Sequence, residues 1–141
     1  MINRELIRIK IVQLTYAYYQ NGNRNIDVAE KELLFSLSKS YHLYLCLLAL
    51  IGAVSKEARK RYEIETARAA RENEPAPASK FVDNKFAMQL EENEQLCEFI
   101  ASQKQTWEDD IEFVRKLYAQ IIQSNIYTDY MESEDNSYEA D

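Results

Sequence analysis

Arg4 and Arg8 stand four residues apart in the stretch Asn3-Arg-Glu-Leu-Ile-Arg-Ile-Lys-Ile-Val-Gln-Leu-Thr-Tyr-Ala-Tyr-Tyr-Gln20. On an α-helix that spacing brings two side chains onto one face. Thr15 and Tyr19 fall within about 60° of the same stripe at the helical repeat. Two guanidinium groups beside an aromatic ring can hold phosphates while a base stacks on the ring. Single-stranded RNA is read largely in this way. Lys10 projects from nearly the opposite side to Arg8, so the three cations form no single tight patch. The same stripe could equally be ordinary solvated surface at a helix start.

Other groups with chemical potential carry less. His42 is the one histidine and lies in an apolar stretch, with no nucleophile in a motif around it. Two glycines cannot build a phosphate-binding loop. Glu91-Glu92 and Asp109-Asp110 are adjacent, so on a helix they diverge by about 100°. Glu108 and Glu112 are spaced to share a helix face, yet no histidine follows to complete a di-metal motif. Cys46 and Cys97 form no CxxC and read as reduced, buried thiols. The sequence therefore predicts a binding protein without catalytic residues, metal or cofactor.

The elements that would position these groups are helical. Gly and Pro number two each, whereas a β-rich chain of 141 residues needs many tight turns. Abundant Leu, Ile, Ala, Glu, Lys and Gln favour long helices, and 46% hydrophobic residues suffice for a core. The expected fold is an all-α bundle of about four to five helices, one of them long. Asn3 is expected to cap a first helix from Arg4 to about Gln20, stopped by Asn21-Gly22. Most of its circumference is apolar and is expected to be packed. Asn23 to Ile26 connects it to a second helix capped by Asp27 with Glu30 as capping-box partner. Apolar residues at helical spacing from Leu33 to Ile51 carry that helix to about Arg71, with Gly52 or Ser55 as places for a break.

Residues 1–72 are thus read as N-terminal helices with a polar extension, 73–82 as a Pro-containing linker, and 83–141 as a helical segment with an acidic tail. A third helix is expected from Asp83 or Asn84 to about Ser102. A fourth follows a capping-box-like Thr106-Trp-Glu-Asp109, and a short helical piece without a packing partner is expected in the tail. The most apolar run, Leu43 to Val54, is about a dozen residues, where a bilayer span needs about 20. The opening residues do not resemble a signal peptide, so a cytoplasmic location is expected.

Charge is unevenly spread: residues 1–80 carry +4 and residues 81–141 carry −11. The N-terminal part could face a polyanion that the C-terminal part would repel. A second cationic group, Lys56, Arg59, Lys60, Arg61, Arg68 and Arg71, is interleaved with glutamates and reads as a solvated, ion-paired helix face.

The string Arg4…Arg8-Ile-Lys-Ile-Val-Gln13-Leu-Thr-Tyr16-Ala-Tyr18 resembles the opening of NusB-type transcription antitermination factors. Its first helix is most similar to the long NusB homologues of Bacteroidetes-type bacteria, and Glu30-Lys-Glu-Leu-Leu-Phe-Ser-Leu-Ser-Lys-Ser-Tyr41 extends the resemblance. The resemblance covers about residues 2–52. It implies two all-α subdomains and binding of boxA-like single-stranded RNA together with NusE, a small-subunit ribosomal protein. It further implies a role with RNA polymerase in an antitermination complex. The RNA-contacting role passes to Arg4 and Arg8, and by position to Lys10, Tyr16 and Tyr18. Glu5 and Leu6 stand where the family often has arginine. The family's Asn-Gly-containing C-terminal helix has no counterpart here, so the chain is expected to be the N-terminal part of a longer protein. The alternative expectation is a helical protein–protein interaction or self-association module, such as a homodimer, without nucleic-acid binding.

Overall fold

A computed structural model describes residues 3–22 and 25–140. It is 74% helical, with six helices and no strand among the described residues. The helices are α1 Arg4–Gln20, α2 Ile26–Glu72, α3 Lys85–Glu91, α4 Glu94–Ser102, α5 Ile111–Ile122 and α6 Asn125–Glu132. The chain divides into two compact units, Met1–Cys46 and Leu47–Asp141. The division falls within α2, and the Pro-containing segment expected to separate domains lies inside the second unit.

Side-chain caps set most of the helix starts. Asn3 Oδ1 accepts the Leu6 amide at 2.8 Å and opens α1. Asn21 and Gly22 close it, with Gly22 at φ +62°, the left-handed region that glycine enters without penalty. Of the expected connection, Asn23 and Arg24 lie outside the described residues, and Ile26 is already helical. Asn25, not Asp27, supplies the side-chain oxygen at the start of α2: its Oδ1 accepts the Asp27 amide at 3.0 Å. Asp27 instead sits in the first turn, where its charge faces the positive end of the helix dipole.

The second helix runs unbroken past Gly52 for 47 residues. A mid-helix glycine costs only about 1 kcal/mol relative to alanine, and the apolar residues around it favour helix. The helix ends at Asn73, whose φ of +55° turns the chain, and Glu74 donates its amide back to the Ala69 carbonyl at 2.9 Å. By length and composition α2 is apolar enough to cross a membrane. Its apolar run is bounded by Ser38, Lys39, Ser40 and His42 on one side. On the other, Val54 and Ser55 are buried within the protein. Only 6% of its most apolar 18-residue window is buried within the protein.

The expected single third helix is two. Asn93 has an extended backbone, and its side chain accepts the Leu96 amide at 2.9 Å, starting α4 afresh. The Thr106–Asp109 motif forms a turn and not a helix start: Asp109 Oδ2 accepts the Thr106 amide at 2.7 Å, and α5 begins later, at Ile111. Glu108 lies in that turn, so it does not share a helix face with Glu112.

The core of the second unit gathers Val54, Ala58 and Ala69 of α2, Ala87 of α3, Leu96 of α4 and Val114 of α5, the last with 0% exposure. Within this apolar set sits a carboxylate. Glu57 is 4% exposed. Its Oε1 accepts Arg61 Nε at 2.9 Å, and Arg115 Nε of α5 lies 3.6 Å from the same oxygen. Two further pairs tie α2 to later residues. One Arg59 nitrogen reaches both Glu91 oxygens at 2.8 Å, and Lys56 meets Glu108 at 3.3 Å.

The tail has a packing partner after all. Phe81 stands 5.3 Å from the Tyr127 ring and 6.5 Å from Tyr130, both of α6, and 6.3 Å from Tyr118 of α5. Lys80 Nζ donates to the carbonyls of Tyr130 and Ser133 at 2.6 and 2.7 Å, where the negative end of the α6 dipole favours a cation. Lys85 donates to the Asn136 carbonyl at 2.7 Å, Tyr138 bonds Gln89, and the Phe86 and Tyr138 rings meet edge to face.

Two outcomes follow from this packing. Glu57→Gln should lower unfolding stability by about 1–2 kcal/mol, because hydrogen bonds to charged groups are worth about 1.5–3 kcal/mol and the amide oxygen recovers part. Arg115→Met should cost under about 1 kcal/mol, since Arg115 is nearly half exposed and Arg61 remains. Urea unfolding followed by circular dichroism measures both, and equal losses would contradict the assigned ranking.

Burial pushes the phenols of Tyr118 and Tyr127 above their usual value of 10.0, with the Tyr127 charge adding to the effect on Tyr118. The folded chain thus holds these protons more tightly than the unfolded one. The stability this gives is complete below pH 10 and is lost as pH rises through the raised folded values. Tyr118→Phe and Tyr127→Phe should therefore remain folded to higher pH in an alkaline titration read by circular dichroism.

Candidate nucleic-acid interface

The first helix has no buried residue. Its half-buried positions are Leu6, Ile7, Lys10, Leu14, Ala17 and Tyr18, which at the helical repeat form one continuous stripe about 120° wide. Everything else on α1 is exposed, including Ile9, Ile11 and Val12. The expected packing around most of this helix is absent among the described residues, and Ile11 belongs to the open side.

Arg4 and Arg8 lie on that open side, with Thr15 and Tyr19 between and beside them. Tyr19 is 76% exposed and Tyr16 67% exposed. The Tyr16 hydroxyl accepts from the Gln20 side chain at 2.9 Å, which holds the ring along the helix while leaving its faces open. Tyr18 packs edge-on against Tyr19 at 5.8 Å, so the half-covered ring supports the exposed one. The structure thus brings Arg4, Arg8, Tyr16 and Tyr19 to one solvent-facing side. It places Lys10 and Tyr18 on the covered stripe.

The two groups of cations differ in their partners. Neither Arg4 nor Arg8 forms an ion pair among the described residues. Arg59, Arg61, Arg68 and Arg115 all do, with Glu91, Glu57, Glu72 and Glu57 respectively. The basic stretch of α2 is therefore largely occupied within the fold. A guanidinium without a partner keeps its donors for a phosphate, which it can grip with two parallel hydrogen bonds.

In the first half of α2, Lys31 and Lys39 are exposed. Lys39 lies over the Phe35 ring at 5.3 Å, and Tyr41 and Tyr44 stack at 6.3 Å. Leu34, Phe35, Leu43 and Leu47 are exposed. His42 and Cys46 are half-buried. Cys97, expected to be buried, is exposed, and its thiol donates to the Glu91 carbonyl at 3.2 Å. Among the described residues, no three His, Cys, Asp or Glu side chains come together as a metal site.

Comparison with protein-family models, curated proteins and solved structures found no match to this chain.

Between Asn3 and Ala53 no described residue is buried, whereas the second unit holds the whole buried core. Local opening is easiest where few apolar groups are buried. Hydrogen–deuterium exchange with mass spectrometry should show amides of residues 4–46 exchanging faster than those of α5. Equal protection in the two units would contradict this.

Proposed function

We propose that this chain binds single-stranded RNA through α1 and acts as a transcription antitermination or termination factor of the NusB type. The observation that carries the reading is the open side of α1, where two arginines without an ion pair among the described residues stand beside two exposed tyrosines. Arg4 and Arg8 hold successive phosphates. Tyr16 and Tyr19 offer ring faces to bases, with Tyr18 as the support of Tyr19. Lys10, on the covered stripe, adds positive potential without direct contact. The resemblance of residues 2–52 to NusB openings gives the class of ligand, a boxA-like strand of nascent transcript. It also gives the partners, NusE and the polymerase antitermination complex, in the cytoplasm. No catalytic step is assigned to any residue.

A second reading is favoured by a different observation. Ile9, Ile11, Val12, Leu34, Phe35 and Leu43 expose more apolar surface than a small unit usually leaves in water. This surface suits a protein partner or a second copy of the chain. Light scattering after size exclusion tests it: a dimer unaffected by RNA favours self-association, and a monomer at high concentration counts against it.

For the RNA reading, fluorescence anisotropy with a labelled boxA-like strand should show affinity falling steeply with salt. Arg4→Ala with Arg8→Ala should weaken binding at least about tenfold, since each charge-assisted bond is worth about 1.5–3 kcal/mol and 1.4 kcal/mol is a factor of ten. The slope of log affinity against log salt should shrink by about 1.4, or about 0.7 per lost phosphate contact. An unchanged slope and affinity would remove α1 from the interface.

A further inference from the structure

Within the second unit, α2, α3 and the segment before α3 enclose an open groove of about 640 Å³. Its floor is apolar: Tyr62 and Val82 are half-buried, and Met88 is 46% exposed. Its rim is acidic. Glu63, Asp83 and Glu92 are exposed, and none of the three takes part in an ion pair or side-chain hydrogen bond among the described residues. At one end Arg59 is held by both oxygens of Glu91 at 2.8 Å. The groove itself shows that a guanidinium is accommodated here against a carboxylate.

The lining residues carry four carboxylates and one arginine, a balance of −3. Such a surface repels RNA and attracts cations. Three carboxylates spread around an apolar floor suit an extended occupant rather than a single metal ion, which needs converging ligands. Polyamines have the charge but lack the apolar side chains that Tyr62, Val82 and Met88 would contact. We infer that this groove docks a basic, amphipathic segment of a partner protein. Its arginine or lysine side chains meet Glu63, Asp83 and Glu92, and its apolar side chain enters against Met88 and Tyr62. The methionine thioether adapts readily to irregular apolar shapes, as peptide-binding surfaces require.

The test uses the full chain and labelled peptides read by fluorescence anisotropy. One peptide combines arginines with leucines, a second glutamates with leucines, and a third is oligolysine. The arginine–leucine peptide should bind best, and its affinity should fall as salt rises toward 1 M, where the Debye length is about 3 Å. The triple variant Glu63→Gln, Asp83→Asn, Glu92→Gln should bind it at least about tenfold more weakly. It should unfold at the same temperature as the parent, because these side chains form no ion pair or side-chain hydrogen bond among the described residues. Met88→Ser should weaken the arginine–leucine peptide and leave oligolysine unchanged. Equal binding of the glutamate–leucine peptide, or of oligolysine, would overturn the proposal, as would a triple variant that binds as the parent does. The result is independent of α1, so loss of RNA binding in the Arg4/Arg8 variant leaves it standing.

Discussion

A single buried carboxylate organises the packed part of this chain. Glu57 enters the core between Val54 and Ala58 and is matched by two guanidiniums, one from its own helix and one from α5. Burying an unpaired charge is costly, so the carboxylate requires those partners. Arg61 is guaranteed by the helical spacing. Arg115 is not: it comes from α5, and its contact adds a modest tie between α5 and α2. The adjoining Val114, fully enclosed, is the apolar counterpart of that ionic contact. Arg59 with Glu91 and Lys56 with Glu108 then orient the intervening elements against the same turn of α2.

This division of labour among cations frames the functional reading. Charges in the middle of α2 read in sequence as a solvated face, and in the fold most of them are matched by carboxylates, some far along the chain. Those of α1 are not. Most arginines of α2 are engaged in ion pairs, whereas Arg4 and Arg8 form none among the described residues and keep their donors for a phosphate. The acidic groove of the second unit has the reverse sign. The two surfaces thus suit ligands of opposite charge.

Some of this was legible in the residues alone and some was not. Scarce glycine and proline pointed to helices. Asn3 and Asn84 announced their caps, and Asn21-Gly22 announced a stop, because these are local effects of short polar side chains and left-handed backbone. Asn93 escaped notice because apolar spacing continues across it: periodicity does not reveal a helix that restarts in phase. Thr106 and Asp109 satisfied a capping pattern, yet their hydrogen bonds close a turn that stops short of α5. The burial of Glu57 could not be read locally, since Arg115 is far along the sequence. The tail looked partnerless because its partner, Phe81, lies within the proline-containing segment 73–82 that reads as a linker. For the site, the Arg4–Arg8 stripe follows from helical spacing. The openness of Ile11 and the covering of Tyr18 depend on which side of α1 has neighbours, which the α1 sequence does not encode.

The grip on the tail has a particular chemical character. Lys80 and Lys85 reach main-chain carbonyls of Tyr130, Ser133 and Asn136. Every residue offers a carbonyl. These contacts follow the path of the backbone, while two side chains shape the segment itself: Ser133 Oγ accepts the Asp135 amide at 3.1 Å and Asp135 Oδ1 accepts the Ser137 amide at 2.9 Å. Glu132, Glu134 and Asp135 stay exposed even though two ammonium groups lie close by. Glu132 and Glu134 can be exchanged for neutral residues with the lysine contacts kept, whereas Asp135 also holds the turn into Ser137.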